Sequence, residues 1–559
     1  MLQVVLDIAT VLLRVLISVY AVIIVYHCFA AMRRQRRPEA PLIMLYDCLS
    51  GEKIPILFWE NSIGRNRGSD IRLADPTVSR DHCVLLRREE GWMITDTNSK
   101  SGTFVNGRQV TKRQLIYIDD KICIGSSEFV LLRRTELEEE KPNSWYFSRA
   151  KDKPSMKSSN LMILITFCHL FMAVSASFAY DKQDFTPMTV FAGFTIISWV
   201  FFFVSTVIIK RVNFELEALG IFLCGTGVLL LVHNDVKQAY VQMIASLAGM
   251  IFFLFLIKFI ENPDRIAGWH TIIMVMAVLM LAINIIFGKV QYGAANWITI
   301  GSVSIQPSEL VKVAYIFVGA GTLDQLQTNK NLIVFIIFSG VCVAMLAFMG
   351  DFGTALIFFV TFLLISFMRS GDFRMLILAL VGAALGGTII LQFKPYIADR
   401  FSAWGKVWEF EQSAGFQQAR VLTNTASGGL FGVGIGNGYL KYYFAAASDL
   451  VFGVLSEELG LVVSVTIAIA IGALVFYTRA ITTRSRSTFY SISACCAAGL
   501  LICQMSLNIF GSTDLLPLTG VTLPFISQGG SSVISCWGLL AFMKAADERT
   551  YAIKRGDNR

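Results

Sequence analysis

The sequence predicts a polytopic α-helical membrane bundle of about 12 helices behind an N-terminal anchor helix, with a cytoplasmic all-β sandwich inserted between anchor and bundle. Three observations carry that prediction. Hydrophobic residues make up 55% of the 559-residue chain and charged residues only 16%, far more apolar than a soluble protein. Apolar segments of about 20 residues, the length that crosses hydrocarbon, occur near Leu2–Met32 and then about a dozen times between Asn160 and Ala546. Between the two regions, from Pro41 to Arg134, the hydrophobic period changes to that of strands.

The first apolar segment lacks a basic leader and is too long for a secretory signal core, so residues 1–32 read as a transmembrane anchor with its N-terminus outside. Arg33-Arg34-Gln35-Arg36-Arg37 follows it on the inner side. From that start, Lys210-Arg211, Arg369 with Arg374, Arg479 with Arg484 and Arg486, and the Lys544–Arg559 tail fall on alternate connections. Basic residues mark cytoplasmic connections, so the tail 547–559 is placed inside with the sandwich. The same alternation puts the connections Gln291–Gln306, Lys394–Ser448 and Ser512–Ser527 outside.

The net charge of +8 is spread over helix ends. It forms no single basic patch interleaved with aromatics, so the lipid bilayer is an expected partner and nucleic acid is not. The 11 cysteines show no paired metal-ligand spacing, and Cys224, Cys342, Cys495, Cys496 and Cys503 lie in apolar segments as packing residues. Five dispersed histidines argue against a His-rich metal site.

In the insert, alternating segments such as Cys83–Leu86, Trp92–Thr95 and Ile116–Ile118 are punctuated by Gly, Asn, Asp and Ser. Several short strands at this spacing make a small β-sandwich over residues 41–135. A charged linker, 136–159, with Glu138-Glu139-Glu140, leads to the membrane domain, 160–546.

Within the insert, Ile63-Gly64-Arg65, then Val78-Ser79-Arg80-Asp81-His82, then Asp96–Gly107 follow in order. This set resembles a forkhead-associated (FHA) domain, a family whose loops bind phosphothreonine peptides. The resemblance implies phosphate contacts for Arg65 and Ser79, a further contact for Arg80, and loop-shaping roles for His82 and Asn106. An arginine fork and a hydroxyl donor suit a dianionic phosphate. Ser101-Gly102 stands where the family usually has Asn-Gly, which places Ser101 at the peptide-contacting position. A phosphothreonine-containing protein is the implied partner; the bland reading is a sandwich that has kept its loops and lost its ligand.

In the membrane domain, four strings stand out: Gly293–Ile298 running to Gln306-Pro307-Ser308-Glu309 and Lys312; Gly350–Thr354; Ser427–Gly438 through Asp449 to Gly460; and Leu516–Gly520 through Gln528–Ser532. Together they resemble the SEDS family (shape, elongation, division and sporulation), which includes FtsW, RodA and SpoVE. The resemblance implies a peptidoglycan glycosyltransferase of the bacterial plasma membrane. Members polymerise lipid II beside a class B penicillin-binding transpeptidase. Asp449 matches the acid that the family treats as catalytic, Trp297 a recurrent tryptophan, and about five spanning segments precede Trp297 where members typically have about three.

Glycosyl transfer from a polyprenyl pyrophosphate needs a base for the acceptor hydroxyl and positive charge for the departing pyrophosphate. Asp449 is the expected general base, or the ligand of a divalent cation, Mg²⁺ or Mn²⁺, that organises the pyrophosphate. Without the resemblance, Ser448-Asp449 reads as a helix entrance. Arg400 and Arg420 are candidate phosphate contacts or solvated loop residues. Glu309 and Lys312, three apart near a helix start, are expected to pair, because an unpaired membrane lysine costs a few kcal/mol. Trp297 is either a substrate contact or an interfacial aromatic anchor.

The chain departs from its family just before the acid. Members commonly read Pro-Glu-Ala-His-Thr-Asp, and here the string is Ala445-Ala446-Ala447-Ser448-Asp449. Three activities remain open at this point: a lipid II glycosyltransferase, a lipid II transporter (flippase), and a non-catalytic cell-wall scaffold recruited through phosphothreonine binding.

Overall fold

The computed structural model describes residues 2–34, 43–56, 59–66, 69–88, 90–132, 156–179, 184–209, 213–291, 294–300, 303–321, 329–370, 373–393, 400–482 and 487–547. Most of the linker 136–159, Gln35–Arg37 of the first basic run, Lys210, Arg211, Gly293, Lys394, Arg484, Arg486 and the tail beyond Asp547 lie outside them.

Of the alternating segments, Cys83–Leu86 and Trp92–Thr95 form strands, as their period requires, whereas only Ile116 of Ile116–Ile118 lies in one, at the end of Gln114–Ile116, because the chain turns at Ile118–Asp119. One six-stranded sheet has the order β2 (Lys53–Ile56), β1 (Ile43–Asp47), β11 (Ser127–Leu132), β10 (Lys121–Ile124), β7 (Thr103–Val105), β8 (Arg108–Gln109). A five-stranded sheet runs β4 (Ile71–Arg72), β3 (Glu60–Gly64), β5 (Cys83–Arg88), β6 (Gly91–Asp96), β9 (Gln114–Ile116). Inward side chains such as Leu45, Ile63, Leu85, Ile94, Ile122 and Phe129 fill the space between them.

Ahead of the sandwich lies α1 (Leu2–Arg34). Its residues Ile17, Ala21, Ile24 and Cys28 recur at helical spacing and are buried. They belong to the same core as the bundle, so α1 packs as a member of it.

After the sandwich come α2 (Ser158–Ser177), α3 (Thr186–Phe203), α4 (Glu215–Leu231), α5 (Val236–Ile260) and α6 (Pro263–Phe287). A three-stranded sheet follows, with β13 (Ala294–Ile300) between β12 (Lys289–Gln291) and β14 (Val303–Ile305). The helices resume as α7 (Pro307–Gly321), α8 (Asn329–Met349), α9 (Phe352–Ser370) and α10 (Phe373–Phe393). The polar stretch then contributes α11 (Phe416–Gly428) and the two-turn α12 (Val451–Glu458), before α13 (Leu461–Thr482), α14 (Thr488–Ser512) and α15 (Gly530–Ala546) complete the bundle.

Among the described residues, apart from α1 and the two loop helices, twelve helices of 15 or more residues remain, α2 to α10 and α13 to α15. Seven spans, that of α1 among them, are long and apolar enough to cross a membrane among the described residues, and four further apolar helices are shorter.

The sandwich docks on one end of the bundle. The Glu60 carboxylate, at the start of β3, accepts from the Ser487 hydroxyl at 3.1 Å and from the Thr488 N–H at 3.2 Å, so it caps the N-terminus of α14. Trp59 meets Tyr490 edge-on, with ring centroids 5.9 Å apart. Tyr490 in turn donates to the Ile260 carbonyl at the end of α5 at 2.6 Å. At the same end, Lys544 of α15 pairs with Glu217 of α4 at 2.8 Å, both without solvent exposure.

Candidate functional site

Two separate polar constellations hold the predicted residues other than Trp297 and Arg420. The first is the loop end of the sandwich, at the opposite end of β3 from the docked Glu60, roughly 13 Å along a strand of this length. Gly64 closes β3 where a Cβ would lie 2.2 Å from the Arg80 carbonyl oxygen. That close approach lets the Arg65 N–H bond the Ser79 carbonyl and the Asn66 N–H bond the Arg80 carbonyl, both at 3.0 Å. Gly64→Ala should therefore separate the two loops, at about 1–3 kcal/mol of overpacking. A lowered melting temperature with weakened phosphopeptide binding by the full chain would show it.

His82 is fully buried and locks the second loop. Its Nδ1 accepts from the Ser79 N–H at 3.0 Å, so the proton sits on Nε2, which donates to the Gly102 carbonyl at 3.1 Å. The Ser79 hydroxyl oxygen accepts from the Lys100 N–H at 2.9 Å, which leaves its own proton to donate. Arg65 and Arg80 are exposed beside it. Ser101 lies in the same loop cluster and spends its proton on the Thr77 carbonyl at 2.8 Å. Asn106 joins Asp120 at 2.8 Å and the Lys121 N–H at 3.0 Å, which ties neighbouring turns together.

The second constellation surrounds Asp449. This residue sits in the turn that opens α12, and the spanning helix that follows starts only at Leu461. The glycine-rich loop ahead of that turn is held by two acids of α12. Glu457 accepts from the N–H groups of Tyr439 and Leu440 at 2.8 and 2.9 Å, and Glu458 accepts from the Gly436 N–H at 3.0 Å. Burial pushes Glu458 up to about 7, against the Gly436 hydrogen bond and the Lys441 charge. Both glutamates therefore fold the glycine-rich loop onto α12.

Gly432 permits that contact. It has φ +77°, and a Cβ there would fall 2.3 Å from the Glu458 carbonyl oxygen. Arg14 of α1 donates to the Gly432 carbonyl at 3.3 Å, so the first helix also braces this loop.

Asp449 itself is half-buried. Burial lifts its carboxyl above the ordinary carboxylate range and the charge of Asp351 pushes the same way, against the Ser448 hydrogen bond and the positive charge of Arg400. Arg400 is thus brought to the site, where its guanidinium also donates to the Leu518 carbonyl at 3.0 Å. Arg420 is directed elsewhere: it pairs with Glu411 at 3.5 Å and lies 5.1 Å over the Phe416 ring. Trp297 lies on β13 opposite Lys289, and no described contact joins it to Asp449.

Glu309 and Lys312 do pair, at 2.7 Å, with side-chain exposures of 5% and 1% that exclude a solvated surface bridge. Lys312 also reaches Gln504 of α14 at 3.3 Å, and Gln504 donates to the Thr522 carbonyl and hydroxyl at 3.0 and 2.9 Å. The second Glu309 oxygen, Oε2, is buried with no hydrogen-bond partner. Four residues along the same face of α14, Asn508 donates to the Asp449 carbonyl at 2.9 Å. The pair and the acid therefore abut one helix.

Sequence reasoning missed Gln504, Asn508 and Gln242. Their signal was available: lone amides inside apolar spanning segments are costly unless they bond across helices.

The comparisons with known proteins fit both constellations. Residues 61–125 match the FHA domain model, and residues 228–551 match the cell cycle protein model of FtsW, RodA and SpoVE. The chain is 26% identical to the peptidoglycan glycosyltransferase RodA of Mycobacterium leprae over 70% of its own length and 90% of that protein's. It is 31% identical to the stage V sporulation protein E of Bacillus subtilis, over 49% of this chain and 78% of the relative. A chain solved in work on the structural coordination of polymerization and crosslinking by a peptidoglycan synthase complex shares the fold, with TM-score 0.51 at 23% identity over 59% of this chain and 96% of that one. With the family match spanning more than half of its residues, this chain belongs to the FtsW/RodA/SpoVE family and carries an FHA domain ahead of the membrane bundle.

Proposed function

We propose that this protein is a peptidoglycan glycosyltransferase that polymerises lipid II into glycan strands for elongation, division or sporulation, beside a class B penicillin-binding transpeptidase. The observation that carries the reading is Asp449, half-buried in the turn that opens α12, with its carboxyl raised by burial and within the field of the Arg400 guanidinium. A carboxylate raised toward neutrality is a better base for a sugar hydroxyl than a solvated one. Asp449 takes the acceptor proton, the new glycosidic bond forms, and polyprenyl pyrophosphate departs toward positive charge supplied by Arg400. The buried Glu309–Lys312 pair keeps the polar floor of the site, with Trp297 and Arg420 as outlying substrate contacts.

Among the described residues, no group of three or more His, Cys, Asp or Glu gathers. A Mg²⁺ or Mn²⁺ ion at Asp449 would thus be held chiefly by the substrate's phosphates, the usual habit of Mg²⁺, and would offset pyrophosphate charge. The sandwich faces the cytoplasm in this reading, and the 394–448 loop lies outside. In support, the sandwich docks at the end where α5 and α13 carry Lys258 and Arg479.

The FHA domain reads phosphothreonine through Arg65, Ser79 and Arg80, with Ser101 shaping the loop beside them. Titrating the full chain with one peptide, phosphorylated and unphosphorylated, checks this. Arg65→Ala should weaken phosphopeptide binding by about 10- to 100-fold, the loss of a charged hydrogen-bond partner. Equal affinity for the two peptides would exclude recognition of the phosphate.

For the membrane domain, purified protein in a bilayer, with and without its transpeptidase, should convert lipid II into polymer. Vesicle translocation of lipid II without polymer would support the transporter instead, and neither activity would support the scaffold.

A further inference from the structure

The alanines ahead of Asp449 offer no side-chain hydrogen bond, yet the backbone there is held at several points. Ala445 stands in the left-handed region at φ +58°, which a non-glycine residue adopts only when its surroundings impose it. Its carbonyl accepts from the N–H groups of Ser448, Asp449 and Leu450 at 3.2, 3.0 and 3.1 Å. Three consecutive carbonyls further along are each bound by a different donor. Ala447 accepts from the Gln528 N–H at 2.8 Å, Ser448 from the Ser527 hydroxyl at 2.6 Å, and Asp449 from the Asn508 amide at 2.9 Å.

The donors are themselves fixed. Asn508 gives its second amide proton to the Val521 carbonyl at 2.7 Å, so both neighbours of that nitrogen are carbonyls and the amide cannot be flipped. The Ser527 oxygen accepts from the Leu523 N–H at 2.8 Å. Behind it, Gln242 of α5 donates to the Ser527 carbonyl at 2.9 Å and accepts from the Gly529 N–H at 3.1 Å. Asn508 and Gln242 are each 1% exposed, so neither has water as an alternative partner.

We infer that Asn508 and Ser527 are positioning residues for Asp449: they hold its backbone from the 513–529 loop and α14, and so aim a carboxylate that its own sequence neighbours do not orient. This rests on the reading of Asp449 as the base. Because the hold is on main-chain atoms, it is indifferent to the side chains at 445–447, provided residue 445 tolerates a positive φ.

The test uses the full-length protein in a bilayer with its transpeptidase and lipid II. Asn508→Ala and Asn508→Asp should lower kcat by about 100-fold, the scale of an ångström-sized misplacement of a reacting group, with KM changed by less than about threefold. The aspartate variant matters because it keeps the shape and turns an acceptor toward two carbonyls. Ser527→Ala should show a smaller loss of the same kind. A second readout needs no catalysis: in Asp449→Cys protein, alkylation by a membrane-impermeant maleimide should change several-fold when Asn508→Ala is added.

Wild-type kcat in both Asn508 variants, or a raised KM at unchanged kcat, overturns the positioning role, as does an unaltered alkylation rate. Undiminished polymer from Asp449→Ala overturns the underlying reading instead, and leaves the alkylation comparison to decide whether the hold exists.

Discussion

Asp449→Ala is expected to reduce lipid II polymerisation by about 10²- to 10⁴-fold, the range a positioned general base contributes. Folding should survive, because the turn is held through main-chain carbonyls that the substitution keeps. The loss should appear in kcat with little change in lipid II binding, since the carboxylate acts on the acceptor proton. A pH profile separates a chemical role from a structural one. Burial raises the Asp449 carboxyl, so the base ionises later than a free aspartate, and polymerisation should climb with pH through a limb above about 4, the ordinary aspartate value. Protonation below that limb removes the base. Equal polymer yields from wild type and Asp449→Ala would reject the assignment.

Lys544→Met is expected to destabilise the folded bundle by about 3–5 kcal/mol, the cost of leaving one buried charge without its partner. Lys544 donates to Glu217 at 2.8 Å and to the Asn213 carbonyl at 2.7 Å, and both charged side chains are completely shielded from solvent. The pair joins α4 to α15, and Asn213 continues to Asp547 at 2.7 Å, which Tyr477 of α13 also meets at 2.9 Å. Three helices are therefore tied at one end by polar contacts. Replacing both partners, Glu217→Gln with Lys544→Met, should recover most of the loss, because no uncompensated ion remains. Thermal unfolding in detergent reads the result: equal melting temperatures for the single and double variants would contradict it.

Much of the fold was legible because it follows from local pattern. The period of two in 83–86 and 92–95 requires half-buried strands, and the runs of apolar residues require helices. The three-residue spacing of Glu309 and Lys312 brings them to one helical face, and the low exposure of both makes pairing the stable arrangement. The sandwich motifs were readable for a related reason, since Gly64, Ser79 and His82 are set by a loop geometry that few other residues tolerate.

Other features depended on contacts that spacing does not encode. The pairing of Arg420 with Glu411 is one of them. Glu457 and Glu458 receive the N–H groups of the glycine-rich loop, more than 15 residues before them. Asp449 opens a two-turn helix, one element before the spanning helix that the hydropathy pattern marks.

Composition and periodicity alone established the membrane bundle and the strand-built insert, because partition into lipid and strand alternation are properties of short stretches of chain, whereas Asp449 was singled out by the order of the motifs that resemble the family. Packing decided the surroundings of that acid. Its turn is held by Asn508, Ser527 and Gln528, braced by Gln242 285 residues before Ser527, and linked through α14 to a sandwich docked by Glu60. Hydrogen bonds of that kind form only once the bundle has excluded water, and their partners are chosen by proximity in space.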